Sequence, residues 1–115
     1  MHIIAVDDEP LALGLLVRSI QQACPAAQIS QFQSANEALQ TLEHTRCDVA
    51  FLDIHMRGVN GLTLAKRIKD LHPQCNLIFV TGYSEYATDA LSMHASGYII
   101  KPVSAESIRS ELEDL

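Results

Sequence analysis

The chain has 115 residues, one domain's worth with a single core, and 48% of them are hydrophobic. Its formal net charge is −6 and it carries no basic cluster, which argues against nucleic-acid binding by its own surface. No apolar run approaches the roughly 20 residues of a membrane span. The N-terminus turns acidic at Asp7 without a basic start, unlike a signal peptide, so a cytoplasmic location is expected.

Ile3-Ile4-Ala5-Val6 is an all-apolar run of the kind that forms a strand buried on both faces, and it ends in Asp7-Asp8-Glu9. Pro10 then suits the first turn of a helix. Leu13, Leu16, Val17, Ile20 and Ala23 recur at helical spacing and stop before Pro25. Residues 29–33 form a more polar strand, expected at a sheet edge. Ser34-Ala35-Asn36-Glu37 matches a capping box and opens a helix with Ala35, Ala38, Leu39 and Leu42 inward.

Val49-Ala50-Phe51-Leu52 is the third strand, and it runs directly into Asp53. Asn60-Gly61 turns the chain into a helix with the stripe Leu64, Ala65, Ile68 and Leu71, and Pro73 lies past its end. Leu77-Ile78-Phe79-Val80 is the fourth strand, stopping at Thr81-Gly82. Ser84 is expected to cap a fourth helix with Ala87, Ala90, Leu91 and His94 on one side, closed by Ser96-Gly97. Tyr98-Ile99-Ile100 forms a short fifth strand ending at Lys101-Pro102. Ser104 caps the last helix, in which Ile108, Leu112 and Leu115 align. That helix reaches Leu115 with no glycine or proline to stop it, so a C-terminal effector domain is expected beyond it.

Alternating strands and helices of this kind call for a parallel sheet with right-handed crossovers and helices on both faces. Cys24, Cys47 and Cys75 are odd in number and far apart, and they fit no zinc or redox spacing. Buried free thiols are the expectation. The five histidines show no pair at ligand spacing either.

In a parallel sheet all strands finish on the same edge, where ligands bind. Asp7, Asp8, Asp53, Thr81 and Lys101 should therefore meet. Carboxylates about 4 Å apart repel by several kcal/mol even at an effective dielectric near 20, so a cation belongs among them. Lys101 is one candidate, and a hard divalent ion with oxygen ligands is the better one; Mg²⁺ fits because it also accepts a phosphate oxygen. A carboxylate beside such an ion, a lysine and a hydroxyl has the parts to accept a phosphoryl group. Asp53 would attack phosphorus, while Lys101 and the ion balance the gathering charge.

The series Val6-Asp7-Asp8-Glu9-Pro10, Phe51-Leu52-Asp53-Ile54, Val80-Thr81-Gly82 and Tyr98-Ile99-Ile100-Lys101-Pro102 resembles a response-regulator receiver domain along essentially the whole chain. The resemblance implies a flavodoxin-like (βα)5 fold with strand order 2-1-3-4-5. It also implies phosphorylation of Asp53 by a sensor histidine kinase. Asp8 would bind Mg²⁺ directly and Asp7 partly through water, with the backbone carbonyl of His55 completing the site. Lys101 would contact the phosphoryl group, the Lys101–Pro102 peptide would be cis, and Thr81 and Tyr98 would be the switch pair. The stretch Tyr83-Ser84-Glu85-Tyr86-Ala87-Thr88-Asp89-Ala90-Leu91 is similar to receivers that carry a LytTR-type DNA-binding domain.

A homodimer through the fourth helix, fifth strand and fifth helix is the implied output, drawing on residues 85–95, 97–100 and 104–115. DNA would be contacted only by the effector domain, and a stand-alone adaptor is the alternative. The family's usual proline four residues after the phosphoacceptor is here Arg57, followed by Gly58. That loop should be less stiff, with Arg57 facing solvent. His55 and Tyr83 stand two residues beyond Asp53 and Thr81, where bulky groups imply restricted access for water. A haloacid-dehalogenase-type phosphatase would need a second aspartate in Asp53-Ile54-His55. A nucleotide-binding fold would need a glycine-rich first loop, and residues 11–14 hold a single glycine. A degenerate receiver would not retain all five site residues.

Overall fold

The computed structural model describes residues 1–115. In chain order it contains β1 (His2–Val6), α1 (Pro10–Ala23), β2 (Gln28–Phe32), α2 (Ala35–Leu42) and β3 (Val49–Leu52). There follow α3 (Gly61–Leu71), β4 (Asn76–Thr81), α4 (Ala87–Ser92), β5 (Gly97–Ile100) and α5 (Ala105–Glu113). All strand pairings are parallel, as the alternating pattern required, and the order is β2-β1-β3-β4-β5, as the receiver resemblance implied. No helix is long and apolar enough to cross a membrane.

The apolar runs are explained by two cores. Along β1, β3 and β4, alternate side chains point to opposite faces of the sheet. Ile4, Val6, Ala50, Leu52, Leu77 and Phe79 pack with α2 and α3 on one face. Ile3, Ala5, Val49, Phe51, Ile78 and Val80 pack with α1 and α5 on the other. A strand covered on both sides has no position for a polar residue until it ends, and that is where the chemistry is concentrated. β2 lies at the edge, with Gln28 and Gln31 exposed.

Helix starts follow local hydrogen bonding. Glu9 caps α1 by accepting from Ala12 N at 2.7 Å, and Ser34 caps α2 by accepting from Glu37 N at 3.4 Å. At α5 the box is complete: Ser104 Oγ accepts from Ser107 N at 3.1 Å, and Ser104 N donates to Ser107 Oγ at 3.0 Å.

The fourth helix departs from the sequence expectation. α4 begins at Ala87 with Tyr86 as an N-cap whose side chain makes no capping bond, and Ser84 is left outside, its carbonyl accepting from Ala87 N at 3.2 Å. Residues 83–86 are engaged instead with β5 and with His55, so the helix starts late and is short. Ala90 is its buried residue, Leu91 is 76% exposed, and His94 lies beyond the helix at φ 59°. Leu71 and Leu115 are exposed as well, since each sits at a helix end that overhangs the core. Cys47 and Cys75 are buried as free thiols, whereas Cys24 is only half-buried.

Candidate phosphoacceptor site

The strand ladder delivers the site. Val6 lies beside Leu52 and Thr81 beside Ile100, so the residues that follow emerge together. Asp7 N donates to Phe32 O at 3.1 Å, Asp53 N to Val6 O at 2.9 Å, and Lys101 N to Thr81 O at 2.8 Å. Each side chain is thus fixed by backbone hydrogen bonds one step past the sheet.

Asp7, Asp8 and Asp53 present carboxylate oxygens that all lie within 4.8 Å of one another. Asp7 and Asp53 are 1% and 5% exposed; Asp8 is half-buried. Lys101 Nζ is 2.9 Å from Asp7 Oδ2 and 3.7 Å from Asp53 Oδ1. One ammonium among three carboxylates leaves an excess of negative charge in a poorly hydrated cleft. An all-oxygen donor set of this kind suits a hard divalent cation. Thr81 is fully buried at the end of β4, and its Oγ1 has no hydrogen-bond partner, so it is free to accept or donate to something entering the cleft.

The electrostatics follow from this crowding. Burial, and then the charge of Asp7, push the Asp53 carboxyl above its ordinary range; Lys101 and the backbone of Ile54 oppose them. Burial would lower Lys101, but its hydrogen bond to Asp7 and the charge of Asp53 outweigh that and raise it. A carboxyl raised on folding binds its proton more tightly in the native chain than in the unfolded one. The corresponding stability is present in acid and is lost as pH rises through the raised native value. In chelator, Asp53→Asn should therefore stabilise the fold at neutral pH, with the gain vanishing towards pH 4. Urea unfolding at both pH values measures this, and an unchanged gain would mean that the Asp53 charge is not strained.

Asp8 is held by the loop after β3. Arg57 N donates to Asp8 Oδ2 at 2.8 Å, while the Arg57 guanidinium is 96% exposed and its Nε stands 3.9 Å from the same oxygen. The exposed ion pair is weak, and the backbone bond is the stronger tie. A proline at this position would have no N–H to give. Gly58 follows at φ 78°, the left-handed conformation that glycine adopts without cost.

A cavity of about 390 Å³ opens beside Asp8, with His55, Met56, Arg57, Asn60 and Tyr86 in its wall. The His55 ring lies 4.3 Å from that of Tyr83 and 5.1 Å from that of Tyr86, and His55 Nε2 is 2.9 Å from the Tyr86 hydroxyl. The contact of Tyr86 with His55 was not legible in the sequence, because it joins residues 31 apart in the chain. Tyr98 is half-buried against Phe79, and its hydroxyl donates to the Tyr83 carbonyl. The Lys101–Pro102 peptide is cis.

Residues 3–113 match the model of the response regulator receiver domain. The chain belongs to that family. As a receiver domain it is 34% identical over 113 residues to the sensory transduction protein LytT of Enterococcus faecalis, covering 98% of this chain and 47% of that protein. It is also 34% identical over 115 residues to the positive alginate biosynthesis regulatory protein of Pseudomonas aeruginosa, covering 98% and 46%. The receiver thus spans about half the length of the curated relatives it matches, and with LytT- and LytR-named regulators among them it falls with receivers of the LytTR type. The solved response regulator TrrA from Thermotoga maritima, in complex with Mg(2+)-BeF, superposes with a TM-score of 0.85 at 29% identity, covering 97% and 96% of the two chains. The response regulatory domain of mrkE from Klebsiella pneumoniae matches at 0.85 and 30% identity, covering 100% and 94%.

Proposed function

We propose that this receiver is the cytoplasmic input module of a two-component transcription regulator, and that Asp53 accepts a phosphoryl group from the phosphohistidine of a sensor histidine kinase. The observation that carries this reading is the Asp53 carboxylate, 5% exposed at the end of β3, with Lys101 Nζ at 3.7 Å. An Asp53 oxygen attacks phosphorus as the phosphorus–nitrogen bond breaks, leaving an acyl phosphate. Lys101 takes up negative charge on the transferred group, and the ring cluster of His55, Tyr83 and Tyr86 limits the approach of water to the product. Asp7, Asp8, Asp53 and the backbone carbonyl of His55 would hold Mg²⁺, which supplies positive charge to the phosphoryl oxygens when bound.

The metal assignment has its own test. A ligand at about 100 times its dissociation constant adds about 2.7 kcal/mol of stability when it binds only the native state. Millimolar Mg²⁺ should raise the melting temperature, and Asp8→Asn should weaken that response. Arg57→Pro removes the amide that competes for Asp8 and should tighten Mg²⁺ binding by up to about ten-fold, the value of one hydrogen bond. Calorimetric titration reads both, and a melt indifferent to Mg²⁺ would show that the cluster is not a metal site.

Output would run from the buried Thr81 hydroxyl to Tyr98. A phosphoryl group on Asp53 that accepts a hydrogen bond from Thr81 Oγ1 draws that side chain in and lets the Tyr98 ring leave its bond to the Tyr83 carbonyl. This alters the face of α4, β5 and α5, where Leu91 and Ile100 are 76% and 46% exposed. Two copies would pair there and bring two C-terminal LytTR-type effector domains onto paired DNA sites. Beryllium fluoride with Mg²⁺ should shift sedimentation from monomer towards dimer. Monomers at high concentration with the mimic bound would favour a stand-alone adaptor acting through protein contacts.

A further inference from the structure

Cys47 and Cys75 are 28 residues apart, and nothing in that spacing links them. The fold does. Cys47 lies two residues before β3 and Cys75 directly before β4, and these neighbouring parallel strands start in register, Val49 beside Asn76. Both cysteines therefore stand on the edge of the sheet opposite the acidic cleft. Their sulfurs are 2.9 Å apart, and the residues are 2% and 1% exposed. The two connections that carry them are tied to each other. His72 Nε2 donates to Leu42 O at 2.7 Å, and Asn76 N donates to Asp48 O at 2.9 Å. Lys69 Nζ donates to Cys75 O at 3.1 Å.

We propose that Cys47 and Cys75 are a modification site, a vicinal dithiol that a hydroperoxide converts reversibly into an intramolecular disulfide joining the starts of β3 and β4. The hydrogen bond between the two sulfurs favours the thiolate at Cys47 and lowers it against the effect of burial. The same bond, together with burial, pushes Cys75 up, so Cys47 is the attacking sulfur and Cys75 the resolving one. The Cys47 thiolate attacks one peroxide oxygen; the oxygen–oxygen bond breaks and an alkoxide leaves, taking up a proton to become the alcohol. Cys75 sulfur then attacks the sulfenic sulfur of Cys47. The sulfur–sulfur bond forms, hydroxide departs, and it combines with the Cys75 proton as water. Two thiols and one hydroperoxide thus give one disulfide, one alcohol and one water, with two electrons passing from sulfur to oxygen.

Access is through the turn before Cys47. Residues 43–46 are all exposed, so local opening of this turn admits a small peroxide. The bond needs the sulfurs to close to about 2.05 Å between segments already held in place. Once formed, it encloses β3, Asp53 and α3 in one covalent loop.

The test uses the Cys24→Ser chain, which keeps only the pair, reduced and then treated with hydrogen peroxide. The expected result is loss of both titratable thiols, a mass lower by two hydrogens and a monomer on a non-reducing gel. Peptide mapping should join Cys47 to Cys75, the melting temperature should rise, and dithiothreitol should reverse all of it. In Cys24→Ser with Cys75→Ser, where the serine hydroxyl keeps a hydrogen-bond partner beside Cys47 but cannot form a disulfide, Cys47 should instead stop at a sulfenic acid that dimedone traps. If that second protein fails to fold, the first one decides the matter alone. Survival of both thiols, over-oxidation without a link, or disulfides only between molecules would each overturn the proposal.

Discussion

Asp53→Asn is expected to abolish phosphoryl acceptance altogether, the largest functional effect of any single substitution in this chain. Incubated with a small acyl or amidophosphate and Mg²⁺, the wild-type chain should gain one labile adduct by intact mass, and the variant none. Neighbouring carboxylates are not expected to substitute for Asp53. Asp7 already accepts from Lys101 Nζ at 2.9 Å and from Glu9 N at 3.0 Å, and Asp8 accepts from Arg57 N at 2.8 Å. An amide is a far poorer nucleophile than a carboxylate, whereas the shape of the residue is kept, so the loss would be chemical and not structural. Lys101→Ala should still permit acceptance, since its ammonium stabilises charge without forming a bond, but it should impair the mimic-induced dimer. A stable phosphate on serine, threonine or histidine would refute the assignment of Asp53.

Gly61→Ala is expected to be the most destabilising of the conservative substitutions, at about 3 kcal/mol. Gly61 is the first residue of α3, and its N–H donates to Ile54 O at 2.9 Å. A Cβ there would stand 2.0 Å from the Asp53 carbonyl oxygen and 2.7 Å from Ile54 Cα. Those atoms are backbone, so either the helix or the end of β3 must move. The intrinsic gain of alanine in a helix is about 1 kcal/mol, too small to offset such a clash. Gly14, exposed in the middle of α1, would place a Cβ with nothing within 4 Å. Gly14→Ala should therefore stabilise by up to about 1 kcal/mol. Urea unfolding of the two variants should give opposite signs, and a Gly61→Ala protein as stable as wild type would refute the close approach.

Much of this molecule is legible along the chain, because its core strands are buried on both faces. Ile3 to Val6, Val49 to Leu52 and Leu77 to Val80 have no polar interruption, so their ends are sharp and the polar residue that follows each is conspicuous. Parallel pairing then requires those ends to meet, which is why Asp7, Asp53, Thr81 and Lys101 could be grouped before any coordinates. The stripes of α1 and α3 were equally plain, and they fail only at their margins, where Leu71 overhangs the sheet.

Tertiary structure decided what depends on segments distant in the chain. Ser84 has the chemistry of a cap, yet α4 starts at Ala87, because Tyr83 and Tyr86 are held by Tyr98 and His55 across the cleft. The tie from Arg57 to Asp8 is made by a backbone amide, which has no signature in a side-chain pattern. Gly61 reads as a turn residue, but it is needed for the approach of α3 to the Asp53 carbonyl. Cys47 and Cys75 lie at unrelated positions until β3 and β4 pair in register. Periodicity and capping report only on neighbours within about one helical turn or one strand repeat. The hydrogen bonds that join Tyr86 to His55, Arg57 to Asp8 and Lys101 to Asp7 span 31, 49 and 94 residues of chain and exist only once the sheet has formed.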